Sequence, residues 1–151
     1  MRKSLSLIEI IVVIVIITFV SSIALVSFLY ITPKKIEATS RRITSELRWL
    51  RGLTAAKHQD HTARFHQNQN YIEFYEGSGT SLILIKTIKN LDYPITTQPS
   101  DDPLDLTFQA VVYGRKSIPS WEGSGSTVEI YVNGIKKVKI YKNTGCIEYV
   151  R

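Results

Sequence analysis

The chain opens with a long apolar stretch that carries a single carboxylate. Residues 5–31 read LSLIEIIVVIVIITFVSSIALVSFLYI, and Glu9 is the one charged residue among them. From Ile10 to Ile31 there are about 22 residues, which at 1.5 Å rise each span about 33 Å, the thickness of a hydrocarbon core. A secretory signal peptide has a shorter apolar region followed by a small-residue cleavage site. The pattern therefore predicts a membrane-spanning helix.

The helical pattern continues beyond this span as an amphipathic repeat. Between residues 34 and 57, apolar positions recur at spacings of seven, four, three and three, namely Ile36, Ile43, Leu47, Leu50 and Leu53. The other faces of the same helix carry basic residues, namely Lys35, Arg41, Arg42, Arg48 and Arg51. Only the apolar stripe can pack on a domain, so the basic faces meet solvent or neighbouring subunits. We expect one long helix, half in lipid and half against a domain.

Beyond His61 the period changes from helical to two. The predicted strands are residues 63–65, 72–74, 81–86, 104–108, 110–113, 128–132, 138–141 and 147–150. Asn133-Gly134 predicts a hairpin, because a type I′ turn needs two residues that tolerate positive φ. The segment KNTG, residues 142–145, predicts a second turn. The predicted fold class is α+β: a long N-terminal helix, with a transmembrane half and an amphipathic half, packed on a small antiparallel β-sheet domain.

Length and composition limit the chain to one modest domain and one anchor. It has 151 residues, of which 44% are hydrophobic and 21% charged. Nineteen Lys and Arg against thirteen Asp and Glu give a net charge of +6, which attracts nucleic acid or anionic lipid without choosing between them. Cys146 is the one cysteine, so the sequence excludes internal disulfides and multi-cysteine metal sites. We expect Cys146 to be a part-buried strand residue.

Polar clusters in the chain do not indicate catalysis or a metal site. His58, Asp60, His61 and His66 follow the helical pattern among Gln and Asn, where solvated polar residues are ordinary, so we expect no metal. No nucleophile-elbow signature accompanies these histidines, and the segments GSG and GSGS lack the Lys-Ser/Thr of a phosphate-binding loop. Trp121 is expected to fold onto its own sheet rather than to anchor a partner. The sequence therefore predicts no enzyme activity and no cofactor.

The order of these features resembles a known family. The basic leader MRKS, the motif LSLIE, an unbroken apolar helix, an amphipathic continuation and a small β domain resemble type IV pilins and pseudopilins with a class III (prepilin-type) signal. The segments ELRWLRGLTAAKHQDHTARF and VNGIKKVKIYKNTGCIEYVR resemble the GspH/FimT-type minor pilins and the competence pseudopilin ComGD. The implied organisation is a leader at 1–4, a transmembrane and assembly helix at 5–31, its amphipathic continuation at 32–61 and a β domain at 62–151.

The resemblance also implies how the N-terminus is processed and used. Prepilin peptidase would cleave between Ser4 and Leu5, leaving Leu5 as the N-methylated first residue and Glu9 as the fifth. In related filaments the fifth-position carboxylate lies close to the amino terminus of an adjacent subunit. Such pairing would offset two desolvation costs, which explains a carboxylate in an apolar helix. Ser4 stands where most members of the family have glycine, and Leu5 where most have phenylalanine.

The expected function is therefore structural. The chain would be a minor pilin or pseudopilin in the initiating or tip complex of a type IV-family filament, serving type II secretion, a pilus or DNA uptake. Its expected partners are other major and minor pilins or pseudopilins, prepilin peptidase and the cytoplasmic (inner) membrane. It would cross that membrane once, with its C-terminal domain outside the cytoplasm. An ordinary signal-anchored domain that never polymerises is the remaining structural alternative.

A second hypothesis makes the same fold a DNA-binding receptor subunit of a competence pilus. The expected basic patch consists of Lys137 and Lys139 on one face of the final hairpin, together with Lys136 and Lys142, and that face also carries Ile135 and Tyr141. Lysines suit phosphate contacts, and a nearby tyrosine suits stacking on a base of single-stranded DNA. Some FimT-type relatives bind DNA through Gly-Arg-x-Arg after the last turn, whereas residues 145–148 here read GCIE.

Overall fold

The structure is a computed structural model that describes residues 6–89, 91–110, 118–122 and 125–150, without the side chains of residues 27–32, 136 and 137. The chain divides into two compact units, with the boundary between Lys35 and Ile36. The described elements are one helix and nine strands: α1 Leu7–Lys57, β1 His61–His66, β2 Tyr71–Glu76, β3 Ile83–Ile88, β4 Ile95–Gln98, β5 Leu104–Gln109, β6 Ile118–Ser120, β7 Thr127–Val132, β8 Ile135–Tyr141 and β9 Ile147–Tyr149.

In the first unit, α1 presents apolar side chains on every face. All large apolar side chains from Leu7 to Val26 are between 47% and 78% exposed. This stretch has a mean hydropathy of 2.8 and none of it is buried, so the helix is long and apolar enough to cross a membrane. The hydroxyls of Thr18 and Ser22 donate to the carbonyls of Ile14 and Thr18, four residues back, at 2.8 Å each. These hydroxyls therefore need no outside partner in lipid.

In the second unit, the strands form two antiparallel sheets. The five-stranded sheet has the order β3-β2-β1-β5-β6, and the four-stranded sheet has the order β4-β7-β8-β9. The α+β class is confirmed, whereas one sheet was expected. Alternation of apolar and polar residues shows which residues face the core, but it does not show which strand is the neighbour.

Two observed strands were not predicted from the sequence. They are β4, with four residues, and β6, with three, and the proline at the centre of β6 is unusual inside a strand. The predicted strand at 110–113 falls, beyond Ala110, outside the described residues, and Ala110 itself lies in neither sheet. The other predicted strands correspond to observed ones within two residues at each end, except that β8 begins three residues before the predicted strand 138–141.

The amphipathic half of α1 supplies one side of the core. Its predicted stripe is buried at Ile36, Ile43, Leu47 and Leu50, each no more than 4% exposed. The stripe packs in one hydrophobic core with residues of both sheets, including Phe65, Phe74, Phe108, Ile130 and Val138. Burial of these side chains provides the main driving force for folding of the domain.

Hydroxyl residues share the buried face of α1 with the apolar stripe. Ser40, Thr44 and Thr54 are at most 4% exposed. Their hydroxyls donate to carbonyls one turn back, at 2.7 Å, 2.9 Å and 3.0 Å respectively. Because each donor is satisfied within the helix, burial leaves no unpaired hydroxyl donor there.

Two arginines of α1 hold the C-terminal strand pair. Arg48 Nη2 donates to the carbonyl of Ile147 at 2.9 Å, and Arg51 Nη1 donates to the carbonyl of Gly145 at 2.6 Å. From the sequence, we expected both arginines to face solvent or neighbouring subunits. Part of the basic face of α1 instead joins the helix to the turn before β9 and to β9 itself.

The two C-terminal turns have the backbone that the sequence predicted. Asn133 has φ 54° and Gly134 has φ 75°, which confirms the hairpin between β7 and β8. Gly145, with φ 62°, ends the turn between β8 and β9. Cys146 follows this glycine and is exposed before β9 begins, so its expected place in a part-buried strand was wrong.

Candidate functional site

Glu9 lies in the first turn of α1, where it takes part in a reciprocal cap. The Ser6 amide donates to Glu9 Oε2 at 3.4 Å, and the Ile8 amide donates to Ser6 Oγ at 3.3 Å. Amides in the first turn of a helix have no partner further back along the helix, so these two side chains satisfy donors that would otherwise lack one. The carboxylate also lies at the positive end of the helix dipole.

This cap has a sequence signature. The order Ser6-Leu7-Ile8-Glu9 matches the pattern Ser/Thr-x-x-Glu that precedes an apolar helical run. The cap gives Glu9 a local role in addition to any pairing with another chain. Ser4 and Leu5, the residues of the expected cleavage, lie outside the described residues, so their prediction stays untested.

The basic hairpin has a register that strict alternation did not predict. Lys139 lies opposite Glu129, and Lys136 lies opposite Tyr131, with an irregularity between Ile130 and Tyr131 that leaves Lys137 without a partner across the ladder. The side chains of Lys136 and Lys137 lie outside the part of the chain that is described. Past this bulge the parity changes, so Ile135 lies opposite buried Val132 and not on the face of Lys139.

Lys139 is surrounded by acidic and aromatic groups. Its Nζ lies 3.4 Å from Glu129 Oε1 and 5.2 Å from the ring centroid of Tyr141. On its other side, the register places Glu148 of β9 directly opposite Lys139. Two carboxylates beside one ammonium reduce its attraction for a phosphate. The DNA-binding hypothesis stays an untested prediction, and this arrangement does not favour it.

Lys142 and Trp121 meet on the domain. The Lys142 ammonium lies 5.1 Å from the centroid of the Trp121 ring, a cation–π contact. Trp121 is only 7% exposed, as expected for a tryptophan that folds onto its own sheet. Lys142 therefore covers an aromatic ring, which is a structural use of a lysine that the sequence grouped with the basic patch.

The outer face of the five-stranded sheet carries a polar network that sequence reasoning did not identify. Arg64 makes two hydrogen bonds of 2.7 Å to the Asp105 carboxylate, and these raise the pKa of Arg64 above its ordinary value. Burial acts to raise the pKa of Glu73, but hydrogen bonds from Tyr75 and His66 outweigh burial and lower it. Cross-strand neighbours form this network, so only knowledge of the register would have found it.

His61 and Asp60, two of the residues considered for a metal site, each make separate structural contacts. His61 is fully buried, with Nδ1 2.8 Å from the carbonyl of Gln59 and 3.2 Å from Thr54 Oγ1. Asp60 accepts from the Ala110 amide at 2.6 Å and from Ser78 Oγ at 2.9 Å. Among the described residues, no three His, Cys, Asp or Glu side chains are grouped in a way that would hold a metal ion.

The fold and these contacts define an N-terminal apolar helix joined to an antiparallel β domain. Comparison of the chain with protein families, with curated proteins and with solved structures finds no match. The functional argument therefore depends on the chemistry of the chain itself, above all on the exposed apolar helix and on Glu9.

Proposed function

We propose that this chain is a minor pilin or pseudopilin, a structural subunit in the initiating or tip complex of a type IV-family filament. The observation that carries the proposal is a helix exposed on every face from Leu7 to Val26, with its one carboxylate at the capped first turn. Such a surface is stable in lipid or against other apolar helices. A helix that only anchored a domain would gain the cap from this carboxylate but would leave its negative charge without compensation in lipid.

The proposed mechanism gives Glu9 a partner during assembly. Prepilin peptidase cleaves between Ser4 and Leu5, and the new ammonium group of Leu5 lies at an apolar helix end. In the assembling filament, the Glu9 carboxylate of one subunit approaches the ammonium of its neighbour. Each charge then loses water opposite a charge of the other sign, so the pairing offsets two desolvation costs. The β domain remains outside the cytoplasm.

The capping contact decides which variants of Glu9 are informative. Glu9→Ala removes both the charge and the cap, whereas Glu9→Gln removes the charge and keeps a side chain that can cap. Both chains should insert into the membrane, because losing a carboxylate lowers the cost of insertion by up to about 3 kcal/mol. We expect both chains to be processed but to fail to co-purify with the other pilins.

The comparison of these two variants separates pairing from capping. Co-purification of Glu9→Gln at the level of the unmodified chain, with Glu9→Ala defective, would assign Glu9 to the cap alone and contradict the pairing mechanism. Normal co-purification of both variants would contradict the pairing mechanism and return Glu9 to the role of a shallow interfacial residue. Immunoblots of membrane fractions provide the control, since equal amounts of each variant must be present there.

A further inference from the structure

A cavity between α1 and β9 is lined by basic and hydroxyl-bearing side chains. Its volume is about 460 Å³, and its lining consists of Arg41, Thr44, Ser45, Arg48 and Tyr149. The four residues from α1 follow the i, i+3, i+4, i+7 spacing of one helix face, so their side chains are neighbours. Two guanidinium groups and one phenol therefore line the same opening in the surface of the domain.

Arg48 brings to this cavity a positive charge that no carboxylate balances. Its Nη2 donates to the carbonyl of Ile147 at 2.9 Å, which holds the guanidinium against β9. Within the described part of the chain, this carbonyl is the one hydrogen-bond acceptor that Arg48 reaches. A guanidinium has five N–H groups, so the position of Arg48 is fixed while most of its donors are available to a ligand.

Arg41 is held in place by an acidic and an aromatic neighbour. Its Nε and Nη2 donate to Glu37 Oε1 at 3.1 Å and 2.7 Å. Its guanidinium carbon lies 5.7 Å from the ring centroid of Tyr149, a cation–π contact with β9. The contact with Glu37 uses two of the five N–H groups, so the others can donate to Tyr149 and to a ligand.

The charges next to the cavity leave it positive. Glu37 balances the charge of Arg41, and the charge of Arg48 remains. Glu148 is adjacent to Tyr149 in sequence, but side chains alternate along a strand, so Glu148 points away from the cavity lining. Arg51, one turn beyond Arg48 on α1, adds to the positive potential. An anion is therefore the kind of ligand that this cavity attracts.

The donors around the cavity select among anions. Thr44 and Ser45 already donate to helix carbonyls, at 2.9 Å and 2.8 Å, so a ligand meets mainly the guanidinium groups of Arg41 and Arg48 and the hydroxyl of Tyr149. One guanidinium fork satisfies both oxygens of a carboxylate. A tetrahedral phosphate offers more oxygens and can accept from two guanidinium groups at once.

We propose that this cavity binds a phosphate group, either free in solution or at the end of a lipid headgroup. Arg41 and Arg48 supply the charged donors, and Tyr149 supplies a neutral one. The proposal does not depend on assembly into a filament.

Nuclear magnetic resonance of the full-length chain, carrying isotope-labelled arginine and held in a neutral detergent, tests this site. Inorganic phosphate should shift the signals of Arg41 and Arg48 along a saturating curve. The signals of Arg42, which is exposed on α1 but does not line the cavity, should shift little. Acetate at the same ionic strength should bind about tenfold more weakly, because it has fewer oxygens to accept from both arginines. Acetate that binds as tightly as phosphate would overturn the assignment to a phosphate group.

A matched pair of variants separates a site from general attraction to positive charge. Arg41→Gln and Arg42→Gln each remove one charge from adjacent exposed residues, where substitutions rarely affect folding. Arg41→Gln should weaken phosphate binding about tenfold, because it removes charged hydrogen bonds. Arg42→Gln should weaken it less than about twofold, because salt screens a charge outside the site. Equal weakening by both variants overturns the proposal, and so do signals that never saturate with phosphate.

Short-chain phosphatidic acid distinguishes the two sources of the phosphate group, because it carries the same group on a lipid. Equal affinities for this lipid and for inorganic phosphate would assign the cavity to phosphate in solution. Tighter binding of the lipid, with the same loss in Arg41→Gln, would assign the cavity to a lipid headgroup. Binding of both ligands that Arg41→Gln leaves unchanged would contradict a phosphate site at this cavity.

Discussion

Glu9 shows how one side chain can meet two physical demands. Within its own helix it accepts a hydrogen bond from the Ser6 amide, so it satisfies a backbone donor in a segment that is apolar on every face. This contact uses one carboxylate oxygen, and the negative charge still needs compensation in lipid. The proposed neighbour's ammonium would supply it, which is why Glu9→Gln is more informative than Glu9→Ala.

Glu73 is the residue whose ionisation should affect stability most clearly. Its pKa is lowered from the ordinary value of 4.5, mainly because hydrogen bonds from Tyr75 and His66 outweigh the opposing effect of burial. The unfolded chain therefore binds the proton more readily, so this contribution is fully present above pH 4.5 and is lost as pH falls through the lower folded pKa. Glu73→Gln should reduce the free energy of unfolding at pH 7 by about 1 kcal/mol.

Urea unfolding of the full-length chain in detergent, followed by tryptophan fluorescence at pH 7 and pH 3, measures this effect. The difference between Glu73→Gln and the unmodified chain should shrink at the lower pH. Glu122→Gln, at an exposed carboxylate, is the control and should change stability little at either pH. A difference that stays constant with pH would show that the carboxylate charge of Glu73 does not stabilise the fold.

The amphipathic half of α1 is the element on which the core of the domain most depends. Leu47 is completely buried in the core shared by α1 and both sheets, whereas Leu53 on the same stripe is only half-buried. Leu47→Ala should lower the free energy of unfolding by about 3 kcal/mol, because it removes buried methyl groups and leaves a cavity. Leu53→Ala, the matched control, should cost about 1 kcal/mol. Equal losses in urea unfolding would contradict the packing described for α1.

Helical and strand periodicity predicted the helix and most of the strands, but not which strands are neighbours. The stripe from Ile36 to Leu50 and the turn at Asn133-Gly134 follow from local rules, and both were found as predicted. Sheet membership was not predictable, because β4 pairs with β7 over a distance in sequence that no local rule covers. The bulge in the final hairpin likewise changed the faces assigned to its residues.

At the scale of the whole molecule, the candidate site was predictable only where its contacts join residues that are close in sequence. Glu9 was identified because a charged side chain in an apolar helix costs free energy. The cap that it forms with Ser6 matches the Ser-x-x-Glu pattern of residues 6–9. The surroundings of Lys139 needed the register of three strands, since its acidic neighbours come from β7 and β9. A count of charges along the sequence therefore did not show that acidic residues lie opposite Lys139 on both neighbouring strands.

The two units of the chain suggest a division of tasks. The unit before Ile36 provides an apolar helix that lipid or other helices can cover, and the unit after it folds around its own core. The only large apolar residues that the described strands expose are Ile83, Leu84 and Ile85 of β3 and Ile135 of β8.

The N-terminus of the mature protein is the most direct test of the pilin proposal. Mass spectrometry of the chain purified from cells with active prepilin peptidase should show loss of residues 1–4 and one added methyl group on the amino nitrogen of Leu5. A chain from cells lacking the peptidase should retain all four residues, which is the matched control. An intact, unmethylated N-terminus in cells with active peptidase would contradict the proposal that this chain is a processed subunit of a type IV-family filament.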